Sequence, residues 1–230
     1  MNVNNMVPDH SKNVIEIKDV SFSYGAGLVL KDINLNIHKG DYIGIVGPNG
    51  GGKTTLIKLI LSLLNLKTGY IHVDCKNLAY VGQKASNIDQ KFPITVGEVV
   101  NLGTDRESAL KAMADVEITD LKNKMVGELS GGQLQKVFIA LALAQKPEIL
   151  FLDEPTSGID QASQKDFYKL LKKLNQEMGI TLVIISHDVD VITKEATEIA
   201  AINQGLVFYG NASEFIKEKH GVKFIHHFPE

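Results

Sequence analysis

The chain has 230 residues, 44% hydrophobic and 22% charged, with a formal net charge of −3. That size suits one large domain or a core with a subdomain able to bury roughly 70% of its unfolded surface, and the slightly acidic balance excludes bulk electrostatic capture of nucleic acid. A single cysteine, Cys75, excludes an intrachain disulfide framework, and the opening MNVNNMVPDHSKN lacks the apolar run of a secretory signal, so a cytosolic chain is expected.

In chain order, alternation over residues 14–22 (VIEIKDVSF) and 33–37 (INLNI) predicts two half-buried strands of an antiparallel sheet, with Tyr24 just beyond the first in FSYGAG. Tyr42–Val46 (YIGIV) is instead a short unbroken apolar run, the mark of a strand covered on both faces. Gly47, Pro48, Asn49, Gly50, Gly51, Gly52, Lys53 and Thr54 then match G-x-x-x-x-G-K-[ST], between that strand and a helical pattern at residues 54–64. In such a setting backbone N–H groups turn onto phosphate oxygens, Lys53 reaches the β and γ phosphates, and the Thr54 hydroxyl ligates Mg²⁺. Thr55 is placed for the α-phosphate side. The apolar stretch 56–64 carries Lys58 and is too short to span ~30 Å of hydrocarbon, so any link to a membrane passes through another protein.

A fourth short strand ends in Tyr80-Val81-Gly82-Gln83, and the Gln83 amide is placed to contact Mg²⁺ or an attacking water. Strand patterns then stop. Helices are expected at residues 96–102, 106–116 and 134–144, the first opened by a Thr95-x-x-Glu98 capping box. Before the third stands LSGGQ, residues 129–133, where Ser130-x-x-Gln133 reads as another capping box. Its adjacent Gly131 and Gly132 would each cost about 1 kcal/mol if helical, which points to something that must approach that backbone closely.

Residues 149–152 (ILFL) predict a further buried strand, ending in Asp153 and Glu154 at the sheet's carboxyl edge. There Asp153 positions Mg²⁺ through water, and the neighbouring Glu154 polarises the water that attacks the γ-phosphate. Thr181–Ile185 (TLVII) is the next buried strand, followed by His187, which is placed to donate a hydrogen bond to the γ-phosphate. Residues 199–202 and 206–209 flank Asn203-Gln204-Gly205 as a closing hairpin. His220, His226 and His227 show no metal-ligand spacing and read as a solvated end.

Taken together and in order, Gly47 to Thr54, Gln83, LSGGQ, ILFLDEP, SGID at residues 157–160 and His187 resemble the ATPase subunit of ATP-binding cassette transporters along almost the whole chain. LSGGQ is that family's own signature. A G-protein reading fails because Asn123-Lys124-Met125-Val126 has valine where guanine recognition needs aspartate. The resemblance implies an α/β fold: a P-loop NTPase (RecA-like) parallel-sheet core at about 12–84 and 146–220, with an antiparallel β subdomain, an α-helical insertion subdomain at about 85–145 and a tail at about 220–230. It also implies that Tyr24 stacks on adenine, and that two copies dimerise head to tail around two ATPs. Ser130, Gly131, Gly132 and Gln133 of one copy then face the γ-phosphate held by the other, with Asp160 across the interface. An integral-membrane permease is the implied partner and an extracytoplasmic substrate-binding protein an indirect one, with the ATPase at the inner membrane face and no nucleic acid partner.

Finer phrases, GPNGGGKTTLIKLIL, FPITVGEVVNLG and EPTSGID, look like the ATPases of zinc, manganese and iron importers. The alternatives are importers for iron chelates or cobalamin, and a soluble cassette ATPase of iron–sulfur assembly. The sequence departs from the usual pattern at Gly82, where proline is frequent, and at Leu141, where many relatives carry arginine.

Overall fold

The computed structural model describes residues 9–83 and 92–217; His220, His226 and His227 lie outside them. The first part of the chain forms β1 (Asp9–Tyr24), β2 (Gly27–Lys39), β3 (Tyr42–Val46), α1 (Lys53–Ile60), β4 (Thr68–Val73) and β5 (Leu78–Val81). Helices α2 (Val96–Val100), α3 (Arg106–Asp115) and α4 (Gly131–Ala144) follow. The chain then alternates through β6 (Ile149–Asp153), α5 (Gln161–Gln176), β7 (Thr181–Ile185) and α6 (Val189–Glu195), and closes with β8 (Glu198–Asn203), β9 (Gly205–Asn211) and α7 (Ala212–Lys217).

Two sheets result. β2, β1 and β4 make an antiparallel sheet of three strands, and the larger sheet has the order β5-β6-β7-β3-β8-β9. From β5 to β8 every neighbouring pair is parallel, while β9 returns antiparallel to β8 as the expected hairpin. The unbroken apolar strands are explained by burial on two sides. Every residue of β3, β6 and β7 is buried, and successive residues alternate between two cores. Ile43, Ile45, Phe151 and Ile185 pack with β1, β2 and α1, whereas Tyr42, Val46, Leu152 and Ile184 pack with residues from α2 to α6. Among the described residues, the helices between β5 and β6 share that second core with the sheet.

Four expectations need correction. α1 ends at Ile60, short of residue 64: Ser62 takes a left-handed φ of 55°, Leu63 N–H donates to Lys58 O at 2.8 Å, and this αL closure points Leu63 into solvent. α2 likewise stops at Val100, before Leu102. α4 begins at Gly131 rather than residue 134. The first-turn N–H groups of a helix have no intrahelical partners, and Ser130 Oγ accepts from Gln133 N–H at 3.3 Å while Gln133 Oε1 accepts from Ser130 N–H at 3.1 Å, completing the capping box. The cap carries the two glycines into the helix. β4 had no counterpart in the sequence pattern because none of its residues is fully buried; its pairing with β1 places it.

Asn175 near the end of α5 ties this architecture together. Its buried side-chain amide donates to Gly40 O at 2.8 Å, Asp41 O at 3.3 Å and Ile180 O at 2.9 Å, joining α5 to the turn before β3 and the loop before β7. Asn175→Ala strips Gly40 O and Ile180 O of this donor without giving them water, leaves Asp41 O with its bond from Leu182 N–H at 2.8 Å, and is expected to lower unfolding free energy by about 1–3 kcal/mol, read as a reduced urea midpoint at unchanged slope.

Candidate functional site

Since β5, β6, β7, β3 and β8 run the same way, their carboxyl ends share one edge. Ile45 and Asp153 both stand opposite Ile185, and Val81 opposite Leu152, so the segments leaving these strands emerge in step. A cleft of about 350 Å³ opens at this edge and is lined by Tyr24, Asn49 to Thr55, Gln83, Asp153 and Glu154. Ligand clefts of parallel sheets lie outside such carboxyl ends.

The glycine-rich loop is braced against the fold. Gly47 has φ of 145°, and a Cβ there would lie 1.9 Å from Ile202 O on β8, so only glycine lets the loop leave β3 this close to its neighbour. Gln204 N–H of the β8–β9 turn donates to Gly51 O at 2.9 Å. Lys53 is buried, and its Nζ donates to Gly47 O and Pro48 O, both at 2.9 Å. Burial pushes its amine below the ordinary lysine value, against the opposing pull of Glu154 and Asp153. The amine thus sits over the loop, within the field of two carboxylates.

Thr54 Oγ1 donates to Asp153 Oδ2 at 2.9 Å. These residues, 99 positions apart, meet because α1 starts where β3 ends and β6 ends two strands away. Hydroxyl, carboxylate and the Gln83 amide oxygen are the hard donors a magnesium ion takes. Among the described residues no three His, Cys, Asp or Glu side chains cluster as a metal cage.

Glu154 has a left-handed φ of 51°, uncommon for a residue with a Cβ. Its N–H donates to Ile185 O at 3.0 Å, and the turn brings its carboxylate to His187. Oε2 lies 2.6 Å from His187 Nδ1 and accepts from the His187 backbone N–H at 3.3 Å. The carboxylate accepts, so Nδ1 carries the proton in this pair; Nε2 is then an acceptor in the neutral ring and becomes a donor only in the imidazolium. The sequence placed both residues at the site but did not foresee that they bind each other. Tyr24 is 51% exposed and braced edge-on by Phe22, with ring centroids 4.9 Å apart; it presents a flat aromatic surface at the cleft.

Ser130, Gly131, Gly132, Gln133 and Asp160 do not line this cleft. They belong to the starts of α4 and α5, which pack together. A Cβ on Gly132 would lie 3.1 Å from Ser163 Cβ, whereas one on Gly131 would meet only Gly158 O, at 3.7 Å. The sequence reading gave both glycines one cause; the fold separates them, since α5 crowds Gly132 and leaves Gly131 open. The Asp160 carboxylate caps α5, accepting from Ala162 N–H at 3.1 Å and Ser163 N–H at 3.0 Å, and the Ser163 side chain first, then these backbone N–H groups, hold it below the usual carboxylate value.

One cleft neighbour went unassigned in the sequence. Tyr80 Oη donates to Asp153 Oδ2 at 3.2 Å. Burial, with Asp153 beside it, pushes its hydroxyl up to about 12, so it stays a donor near neutral pH. The available signal was the alternation along β5: Tyr80 stands opposite Phe151, and Asp153, two residues on, shares that face.

A family model described as ABC transporter matches residues 30–157. The zinc uptake system ATP-binding protein ZurA of Listeria monocytogenes is 38% identical over 226 residues, covering 89% of this chain and 88% of that protein. The manganese transport system ATP-binding protein MntB of Listeria innocua is 40% identical over 226 residues, covering 89% and 93%. The dimeric structure of a bacterial ABC transporter cassette superposes with a TM-score of 0.74 at 29% identity, covering 86% of this chain and 98% of that one.

Proposed function

This chain belongs to the ABC transporter family as an ATP-binding, ATP-hydrolysing subunit, and on that premise we propose that it powers the import of a divalent metal cation, zinc or manganese, through a separate membrane permease. The observation that carries the ATPase mechanism is the meeting of Thr54, Asp153, Glu154 and His187 at the end of one phosphate loop. The cargo reading is supported by the identity to ZurA and MntB over nearly nine-tenths of the chain.

The division of labour follows from the contacts. Loop N–H groups from Asn49 to Thr54 and the start of α1 bind the phosphates, with Lys53 neutralising charge, and Thr55 and Tyr24 hold the α-phosphate and adenine sides. Arg106, the chain's one arginine, lies on α3, so near the phosphates this chain supplies cationic character through Lys53 and helix starts. Thr54, Asp153 and Gln83 would hold Mg²⁺, which screens phosphate charge when bound. Glu154 accepts a proton from the attacking water, while His187 fixes that carboxylate through Nδ1 and, as the imidazolium, would donate through Nε2 to the γ-phosphate.

Ser130, Gly131, Gly132 and Gln133, absent from the chain's own cleft, would serve the nucleotide of a second copy in a head-to-tail homodimer, with Asp160 at the interface. No described helix is long and apolar enough to cross a membrane. The reading therefore puts the chain at the inner membrane face, docked on the permease through the helices between β5 and β6, with an extracytoplasmic binding protein delivering the ion.

The test is reconstitution. The chain, its co-purifying polytopic permease and the cognate binding protein are placed in vesicles, and radioactive Zn²⁺ and Mn²⁺ uptake is followed with and without ATP. ATP-dependent accumulation of either ion is expected. Co-purification only with soluble proteins, or ATP turnover in the vesicles without movement of either ion, overturns the reading.

A further inference from the structure

Two hydroxyl groups converge on one oxygen of a buried carboxylate. Asp153 is 5% exposed, and its Oδ2 accepts from Thr54 at 2.9 Å and from Tyr80 at 3.2 Å. The Tyr80 ring has a second neighbour. A Cβ on Gly82 would stand 3.1 Å from its Cε1 and Oη and 3.2 Å from its Cζ, so the chain just before Gln83 passes the tyrosine with no room for a side chain between them. A residue without a Cβ is what this ring contact accepts.

We propose that Tyr80 is a positioning residue for the Mg²⁺ side of the site: its hydroxyl fixes the orientation of Asp153, and its ring fixes the approach of Gln83. The inference rests on Asp153 being the metal-side carboxylate. If the Thr54 oxygen turns its lone pairs to a cation, its proton still needs the Asp153 acceptor. Without a second donor that carboxylate would be free to rotate about its Cβ–Cγ bond and present either oxygen. Tyr80 arrives from a different strand and holds the same oxygen whether or not Thr54 is engaged. Because one side chain bonds Asp153 and fills the space beside Gly82, a displacement of the segment that carries Gln83 bears on the side chain that holds the carboxylate. Tyr80 touches neither phosphate nor water in this role.

The probe is Mn²⁺, a Mg²⁺ substitute whose free-ion electron paramagnetic resonance signal disappears on binding, titrated into protein saturated with a non-hydrolysable ATP analogue. Tyr80→Phe keeps the ring and removes the hydroxyl. Loss of a group that orients a metal ligand typically weakens metal binding 10–100-fold; here, with phosphates supplying other ligands, the Mn²⁺ dissociation constant is expected to rise about tenfold. Binding of the analogue in EDTA should stay unchanged. Gly82→Ala keeps the hydroxyl but presses a methyl group on the ring, and is expected to weaken Mn²⁺ binding by at least about threefold; it also carries the test if Tyr80→Phe does not fold.

Asp153→Asn separates the two levels of the argument. A large loss of Mn²⁺ binding in Asp153→Asn, with less than about threefold change in Tyr80→Phe or in Gly82→Ala, overturns the role of Tyr80 alone. Unchanged Mn²⁺ binding in Asp153→Asn overturns the metal reading of Asp153 and this proposal with it.

Discussion

Glu154→Gln is expected to bind ATP with near-normal affinity and to hydrolyse it slower by on the order of 10²- to 10⁴-fold, the usual contribution of a positioned general base. The phosphate loop, Lys53 and the Thr54–Asp153 pair are untouched by the change. Glutamine preserves the size of the side chain and keeps a carbonyl oxygen that accepts from His187 Nδ1, so the 2.6 Å contact weakens without disappearing. It cannot take a proton from water. On the head-to-tail arrangement proposed above, the γ-phosphate then persists and with it the interface it would bridge, so gel filtration in ATP and Mg²⁺ should show a stable dimer where the wild-type chain shows a transient one. Turnover equal to wild type would remove Glu154 from the chemistry. A mutant that neither hydrolyses ATP nor dimerises would show instead that the His187–Glu154 pair builds the fold of the site.

The parts of the fold legible in the sequence are those in which one strand or one helix start decides its own pattern. Tyr42–Val46 and Thr181–Ile185 are read to the residue because burial on both faces leaves no polar position inside them, and the Thr95 and Ser130 boxes are read because all their partners lie within one turn. β4 is invisible because it exposes most of its side chains and owes its existence to β1. The end of α1 is missed because an apolar run does not say how much of itself the core can take. The same division holds at the site. Contiguous motifs give the phosphate loop, Asp153 with Glu154, and LSGGQ. Tyr80 requires the register of β5 on β6, the His187–Glu154 bond requires the left-handed turn at Glu154, and the separate fates of Gly131 and Gly132 require knowing that Ser163 of α5 stands against one of them.

That last distinction yields the second large effect. Gly131→Asp is expected to leave the isolated chain folded and able to bind ATP, yet to abolish ATP-driven dimerisation and lower turnover by about 10²–10³-fold. Within the chain the new Cβ meets only Gly158 O at 3.7 Å, an ordinary contact. Gly131 is the first residue of α4, where a carboxylate faces the positive end of the helix dipole and stabilises by about 0.3–1 kcal/mol, so the melting temperature should hold or rise. Gly131 does not line the cleft beside the glycine-rich loop. Only in a dimer would the new carboxylate meet the partner's γ-phosphate, and like charges brought together at an interface cost several kcal/mol; at 1.4 kcal/mol per decade that spans two to three powers of ten. The pairing of a higher melting temperature with a lost dimer discriminates, since a substitution that merely damaged α4 would lower both. A Gly131→Asp chain that still dimerises in ATP would mean that this helix start faces no phosphate, and that the cleft at the sheet edge is the whole of the nucleotide site.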